Sequence, residues 1–320
     1  MKKGIFLILA LTFSLGYCFW SELLDPIENF IGYERCNSNF IKPDIKKLKK
    51  DFNELLYGQN IVINKLISTL KNRFNKMPRK ALVICMHGWT GSGKSHVTHL
   101  IINNIYKYKG KSKFVHFFNG RIHFPRNKRE YVDEYKTNIQ NWIKGNISNC
   151  HLSTFIFDEV DKIPAGVLDG IKPYFDYHDE IDSVNYKNSI FIFISNIGGS
   201  AINRKYMNLW KQGILRDDMR YKDFESDLRL SLYSTEGAFH QSSILDSHSV
   251  SLYLPFLPLG EEEVRKCIIT ELKNNNKPIK DEIVEEILNE MDFNTHGLSV
   301  SGCKRVADLV SSFRYDRDEL

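Results

Sequence analysis

No spacing of cysteine and histidine along the 320-residue chain matches a metal site, which sets aside zinc-stapled scaffolds. An excess of one charge is missing too. With 44 basic and 39 acidic residues the formal net charge is +5, too small to argue for wholesale nucleic-acid binding. The local basic clusters, Lys46 to Lys50 and Lys71 to Lys80, read as solvated helix faces and loops. Beyond the N-terminus no segment approaches the roughly 18 apolar residues that a membrane-spanning helix needs. One long stretch, Ser231 to Val264, contains neither arginine nor lysine. What the chain does have is a hydrophobic content of 42%, enough to bury one large core and a smaller one.

The N-terminus is secretory in type. Lys2 and Lys3 precede the apolar run Gly4 to Gly16, and small Gly16 or Cys18 could mark cleavage. At the other end, Arg317-Asp318-Glu319-Leu320 differs from the Lys-Asp-Glu-Leu retrieval signal only at its first residue. Together they predict the lumen of the endoplasmic reticulum. Once a signal at 1–18 is removed, five cysteines remain, so at least one is free. Cys85, in an apolar strand, is the candidate buried thiol, and the other four could form two disulfides in an oxidising lumen. Asn146-Ile147-Ser148 is the single glycosylation sequon, read here as part of a polar loop.

The chemistry begins at residues 88–95. Gly88-Trp89-Thr90-Gly91-Ser92-Gly93-Lys94-Ser95 is a complete G-x-x-x-x-G-K-[ST] phosphate loop. Glycines let backbone N–H groups turn inward around phosphates, Lys94 supplies a point charge, and the Ser95 hydroxyl can ligate Mg²⁺. An apolar strand, Ala81 to Met86, precedes it and a helical pattern from His96 to Tyr106 follows, the order such a loop requires. The chain is therefore expected to bind a nucleoside triphosphate. About 65 residues further on, Ser153-Thr-Phe-Ile-Phe-Asp158-Glu159 ends an apolar strand in two carboxylates. In a parallel sheet both acids fall at the carboxyl edge, with Asp158 organising Mg²⁺ and Glu159 orienting an attacking water. A third strand, Ser189 to Ser195, ends at Asn196, placed to point at the terminal phosphate or the water, or else to serve as a turn or helix-cap residue.

These segments, together with Tyr57-Gly58-Gln59, Ile122-His-Phe-Pro125, Ile171-Lys-Pro-Tyr-Phe-Asp-Tyr177, Leu254-Pro-Phe-Leu-Pro-Leu259 and Gly302-Cys303-Lys304, resemble the torsins. Torsins are AAA+ ATPases of the endoplasmic reticulum lumen and the space around the nucleus, related to the Clp and HSP100 unfoldases. The likeness runs from about Leu48 to Val310. It implies that Asn196 is the sensor-1 residue and that Lys304, on a small helical domain, is the sensor-2 residue reaching the γ-phosphate. It also implies a Cys267–Cys303 disulfide tying that sensor to redox state, and a structural Cys36–Cys150 bridge. Two departures stand out. Ser95 occupies a position that is usually asparagine in the family, which favours hydrolysis. Residues 19–45 lack the family's second hydrophobic stretch, which implies that tail-mediated retrieval stands in for it, with membrane association at most peripheral.

The order of elements predicts a signal at 1–18, a linker at 19–45, and an αβα large domain at 46–253 with a five-stranded parallel sheet. A lid, small and mostly helical, follows at 254–314 after a proline-marked hinge, and a retrieval tail at 315–320. AAA+ ATPases complete their sites with an arginine from a neighbour, and the segment where a Clp-type finger would lie, around Gln241 to His248, has none. Arg204, Arg216 and Arg220 read as helix-surface residues. The resemblance accordingly implies activation by the lumenal domain of a type II membrane cofactor, lamina-associated polypeptide 1 or its lumenal-domain-like relative, in a mixed ring or with a homo-oligomer. Only Glu290 of the family's cofactor-engaging glutamate pair is kept beside Asn289. The competing expectations are a self-sufficient Clp-like unfoldase and a nucleotide-gated scaffold without turnover.

Overall fold

The computed structural model describes residues 34–126, 129–234 and 249–313. The expected signal at 1–18, the tail at 315–320 and the segment Gln241 to His248 lie outside the described residues.

Helices α1 (Ile45–Leu55) and α2 (Asn60–Asn75) lead into strand β1 (Leu82–Gly88), which the phosphate loop joins to α3 (Lys94–Asn103). Strand β2 (Val115–Asn119), α4 (Val132–Asn149), β3 (Thr154–Asp158) and β4 (Ile190–Ser195) follow. Then come α5 (Gly199–Lys211), α6 (Tyr221–Ser234) and β5 (Leu252–Phe256). The five strands form one sheet in the order β2-β3-β4-β1-β5, and every pairing is parallel.

The strands read as unbroken apolar runs because both faces of the sheet are covered. Alternation along them sorts two cores. Val83, Cys85, Phe155, Phe157, Phe191 and Phe193 face α4, α5 and α6. Ile84, Met86, Ile156, Ile192, Ile194 and Leu254 face α1, α2 and α3. On the first face aromatic rings stack from strand to strand, Phe118 on Phe157 at 4.9 Å and Phe157 on Phe193 at 5.1 Å. Cys85 is buried and free, and burial pushes its thiol well above the usual range.

The lid consists of α7 (Glu261–Asn274), α8 (Asp281–Asn289) and α9 (Val306–Ser312), around a third core that includes Val264, Ile268, Ile287 and Val310. Three glutamates occupy the first turn of α7, where the helix dipole favours them.

Three expectations change. The linker does not extend to residue 45: Phe40 and Ile41 are core residues, Ile41 bridges to Tyr106, and Cys36 is bonded to Cys150. The boundary at 253/254 cuts through β5, because Leu254, Pro255 and Phe256 pair with β1, so the crossing to the lid begins at Leu257. Asn146 is not in a loop. It lies in the last turn of α4, its amide donating to the Trp142 carbonyl at 2.7 Å.

Candidate functional site

Chain order alone separates the site residues by more than 200 positions; the parallel sheet brings their elements to one edge. The loop at 88–95 leaves β1 at its carboxyl end, Asp158 closes β3, and Asn196 follows β4. Lid residues close over them. The result is one cavity of about 660 Å³, within the ~300–1,000 Å³ usual for small-molecule sites. Thr90 through Ser95, Asp158, Glu159, Asn196, Cys303 and Lys304 all line it.

Gly88 and Trp89 do not line the cavity. The Trp89 indole Nε1 donates to the Val300 carbonyl of the lid at 2.8 Å, so the residue expected to bind nucleotide also makes a contact from loop to lid. The backbone of the loop also meets the lid directly, the Cys303 N–H donating to the Gly91 carbonyl at 3.1 Å.

Lys94 opens α3 and is buried, its Nζ donating to the carbonyls of Gly88 at 2.7 Å and Trp89 at 2.8 Å. Burial lowers its pKa to about 8, against the opposing pull of Asp158 and Asp161. Ser95 is exposed to the cavity in the first turn of the same helix, where the positive end of the dipole favours anions. Asp158 is held above the ordinary carboxylate range, first by burial and then by Glu159 beside it, although the Glu159 N–H donates to its Oδ1 at 2.8 Å.

Glu159 has a left-handed backbone, φ 50°, which swings its carboxylate out of the strand line. There Arg121, on the turn after β2, holds Glu159 Oε2 from Nε at 3.0 Å. Asn196 is exposed to the cavity, and the preceding Ser195 hydroxyl donates to Asp161 Oδ1 at 3.3 Å. Lys304 is exposed on the cavity wall just ahead of α9, and Cys303 beside it is bonded to Cys267 of α7.

Several partners had roles that the sequence did not reveal, although Tyr57-Gly58-Gln59 took part in the family likeness. Gln59 is buried, its amide donating to the carbonyls of Ser92 at 3.2 Å and Leu257 at 2.9 Å, while Leu257 N–H donates back to Oε1 at 2.9 Å. One side chain thus ties the phosphate loop to the hinge. The Tyr57 hydroxyl bonds Thr270 of α7. Arg216, expected on a helix surface, is instead an inter-domain contact with 14% of its side chain exposed. Proximity of Tyr57-Gly58-Gln59 to a helix start was the available clue, but the partners lie about 200 residues away.

The residues fit a nucleotide with Mg²⁺. The loop presents backbone with no side chain in the way, a lysine and a helix N-terminus meet at its floor, and Ser95 and Asp158 offer hard oxygen donors on the same cavity.

The torsin family's sequence profile matches residues 30–157. A torsin-like protein of Caenorhabditis elegans is 35% identical, the match covering 94% of this chain and 88% of that one. Among solved structures, an Hsp104–ADP complex of Saccharomyces cerevisiae superposes with a TM-score of 0.54 over 83% of this chain, at 15% identity. A closed state of Hsp104 with ATPγS and FITC casein gives the same values. The chain spans 46% and 44% of those two Hsp104 chains, and the likeness to them is one of fold. A parallel sheet of AAA+ type, its phosphate loop and acidic strand on one cavity, and a relative of this identity along nearly the whole length place the chain in the torsin family of AAA+ ATPases.

Proposed function

We propose that this chain is an ATP hydrolase of the endoplasmic reticulum lumen and perinuclear space, weak alone and activated by an arginine that a partner supplies. The observation that carries the reading is the single cavity in which the phosphate loop, Asp158, Glu159, Asn196 and Lys304 converge from both domains. We infer that this energy is spent on remodelling protein or membrane complexes, a reading that the family relationship supports.

Lys94 and the loop N–H groups hold the phosphates, and Ser95 with Asp158 would hold Mg²⁺. When bound, that ion neutralises charge gathering on the phosphate oxygens. Glu159 orients the attacking water and accepts its proton, with its Oε2 held by Arg121. Asn196 donates to the water or the terminal phosphate, and Lys304 reaches the same region from the lid.

An activating arginine is worth about 10³ to 10⁵ in rate. Among the described residues between Ser249 and Val264 there is no arginine, and Arg216 is committed within its own chain. A type II membrane protein with a lumenal domain like that of lamina-associated polypeptide 1 fits the requirement. Lumenal residence is supported by the two disulfides and by the relationship to the torsins. The Cys267–Cys303 bridge on the cavity wall would make nucleotide binding sensitive to redox state.

The test is ATP turnover of the full chain, alone and with the purified lumenal domain, beside Glu159→Gln. Turnover that needs the partner and vanishes in the variant is expected. Full turnover alone would instead make the chain a self-sufficient unfoldase, with Arg204 or Arg220, both exposed, as its finger. No turnover with either, despite ATP binding, would leave a nucleotide-gated scaffold.

A further inference from the structure

Arg216 sits between α5 and α6, in a short turn whose sequence shows nothing unusual. Its guanidinium nevertheless gathers four separate pieces of the molecule. Nη1 donates to the Gly58 carbonyl at 3.0 Å, where the chain enters α2. Nη2 donates to the Pro258 carbonyl of the hinge at 2.7 Å and to the Tyr206 hydroxyl of α5 at 3.2 Å. Nε lies 3.4 Å from Glu263 Oε1 in the first turn of the lid helix α7. The plane also lies over the Tyr206 ring at 4.9 Å.

Both members of the ion pair are largely shielded, each side chain 14% exposed, so the pair is far less screened than a surface one. Glu263 is fixed in turn, its Oε2 accepting the Gly260 N–H at 2.9 Å. Gly58 shows how tightly the contact is packed: a Cβ there would lie 3.1 Å from Arg216 Nη1 and 2.8 Å from Glu263 Cγ.

We propose that Arg216 is a positioning residue for the nucleotide site, a strut that sets the lid's angle on the large domain and so keeps Cys303 and Lys304 against the phosphate loop. The inference rests on the nucleotide-binding reading and adds a control element to it. The fork matters as much as the charge. The guanidinium holds five donors in one plane and here reaches two carbonyls, a hydroxyl and a carboxylate, one partner more than the three donors of an ammonium can serve. The carbonyls belong to the two covalent edges of the site: Gly58 precedes Gln59, which bonds Ser92, and Pro258 follows Leu257, which Gln59 also bonds. Tyr206 brings in α5, the helix that begins three residues after Asn196. The same guanidinium therefore touches the segment leading into Gln59, the helix that follows Asn196, the hinge and the lid.

The experiment compares the full chain with Arg216→Ala and Arg216→Lys, measuring affinity for ATP with Mg²⁺ and amide hydrogen exchange by segment. Arg216→Ala should weaken ATP binding at least tenfold and speed exchange at 257–264 and 300–304, with β1 and β4 protected as before. Arg216→Lys keeps the charge near Glu263 and loses the fork, so it should fall between. Wild-type affinity together with wild-type exchange at those two segments in Arg216→Ala would overturn the proposal. Should Arg216→Ala lose protection through β1 and β4 as well, Arg216→Lys decides. Faster exchange confined to the two segments supports the strut, and wild-type behaviour overturns it. If the unaltered chain binds no ATP, the hydrolase reading fails, while the exchange pattern still tests the strut by itself.

Discussion

Gly91 of the phosphate loop and Gly302 of the lid meet backbone to backbone. A Cβ on Gly302 would lie 2.3 Å from the Gly91 carbonyl oxygen, and one on Gly91 would lie 1.8 Å from that of Ser301. Both residues also have positive φ, 69° and 55°. Gly302→Ala therefore combines an overlap with backbone and an unfavourable conformation, and the lid must draw back. ATP affinity should fall at least about tenfold, ~1.4 kcal/mol, with little change in thermal stability. Calorimetric titration beside a melting curve checks it, and unchanged affinity would mean that the loop and lid are not coupled through this contact.

Arg121 holds the carboxylate that the proposed chemistry requires. The pair is solvent-accessible, 66% of the arginine side chain and 34% of the glutamate's being exposed, so its contribution to stability is within about 1 kcal/mol. Its effect on activity should be larger. Arg121→Gln frees Glu159, and partner-stimulated kcat is expected to rise severalfold with the melting temperature nearly constant. A fall in kcat would show that Arg121 assists the reaction rather than restraining its base.

His87 and His116 give stability a defined acid limit. Burial lowers their pKa values to about 3 and about 4, from 6.5. Both folded values are depressed, so the unfolded chain takes up protons between pH 6.5 and 4 that the folded chain refuses, and stability falls with pH. Each imidazole should cost about 2 kcal/mol at pH 5 relative to pH 7. His116 stacks on Phe155 at 4.8 Å, so a phenylalanine can occupy its place. Urea unfolding at the two pH values should show His116→Phe losing about 2 kcal/mol less than the unaltered chain. An equal loss would rule His116 out as a source of the acid sensitivity.

The Cys36–Cys150 bridge closes a loop of 114 positions and fastens residues 34–41 to the end of α4. On loop-entropy grounds, breaking it with Cys36→Ser and Cys150→Ser together costs about 2–5 kcal/mol. The melting temperature should fall by several degrees while the ATP affinity of the folded protein is retained, since neither sulfur lines the cavity. Cys267→Ser with Cys303→Ser should also lower the melting temperature, and because both residues line the cavity it should weaken ATP binding as well.

Much of the site was legible along the chain because its chemistry is local. Eight consecutive residues between a strand and a helix form a phosphate loop, and an apolar run ending in Asp158-Glu159 points both acids to one sheet edge as soon as the sheet is parallel. The same locality misled at Asn146, since α4 continues its helical pattern through a polar-looking sequon to Asn149. It misled at Leu254, where prolines suggested a hinge, although Pro255 sits in the edge strand β5 and needs no donor on its outer side.

The sequence by itself determined three of the five strands, the loop, the acid pair, the cysteine inventory and, through its motifs, the family. Those features depend on neighbours a few residues apart or on side-chain identity alone. Tertiary structure decided that Trp89 bonds the lid, that Arg121 restrains Glu159, and that Gln59 and Arg216 bind the hinge. Each of those contacts joins residues 38 to more than 200 positions apart, mostly through backbone carbonyls. A carbonyl is the same group at every residue, so no pattern of side chains along the chain could have marked which one an arginine or a glutamine would find.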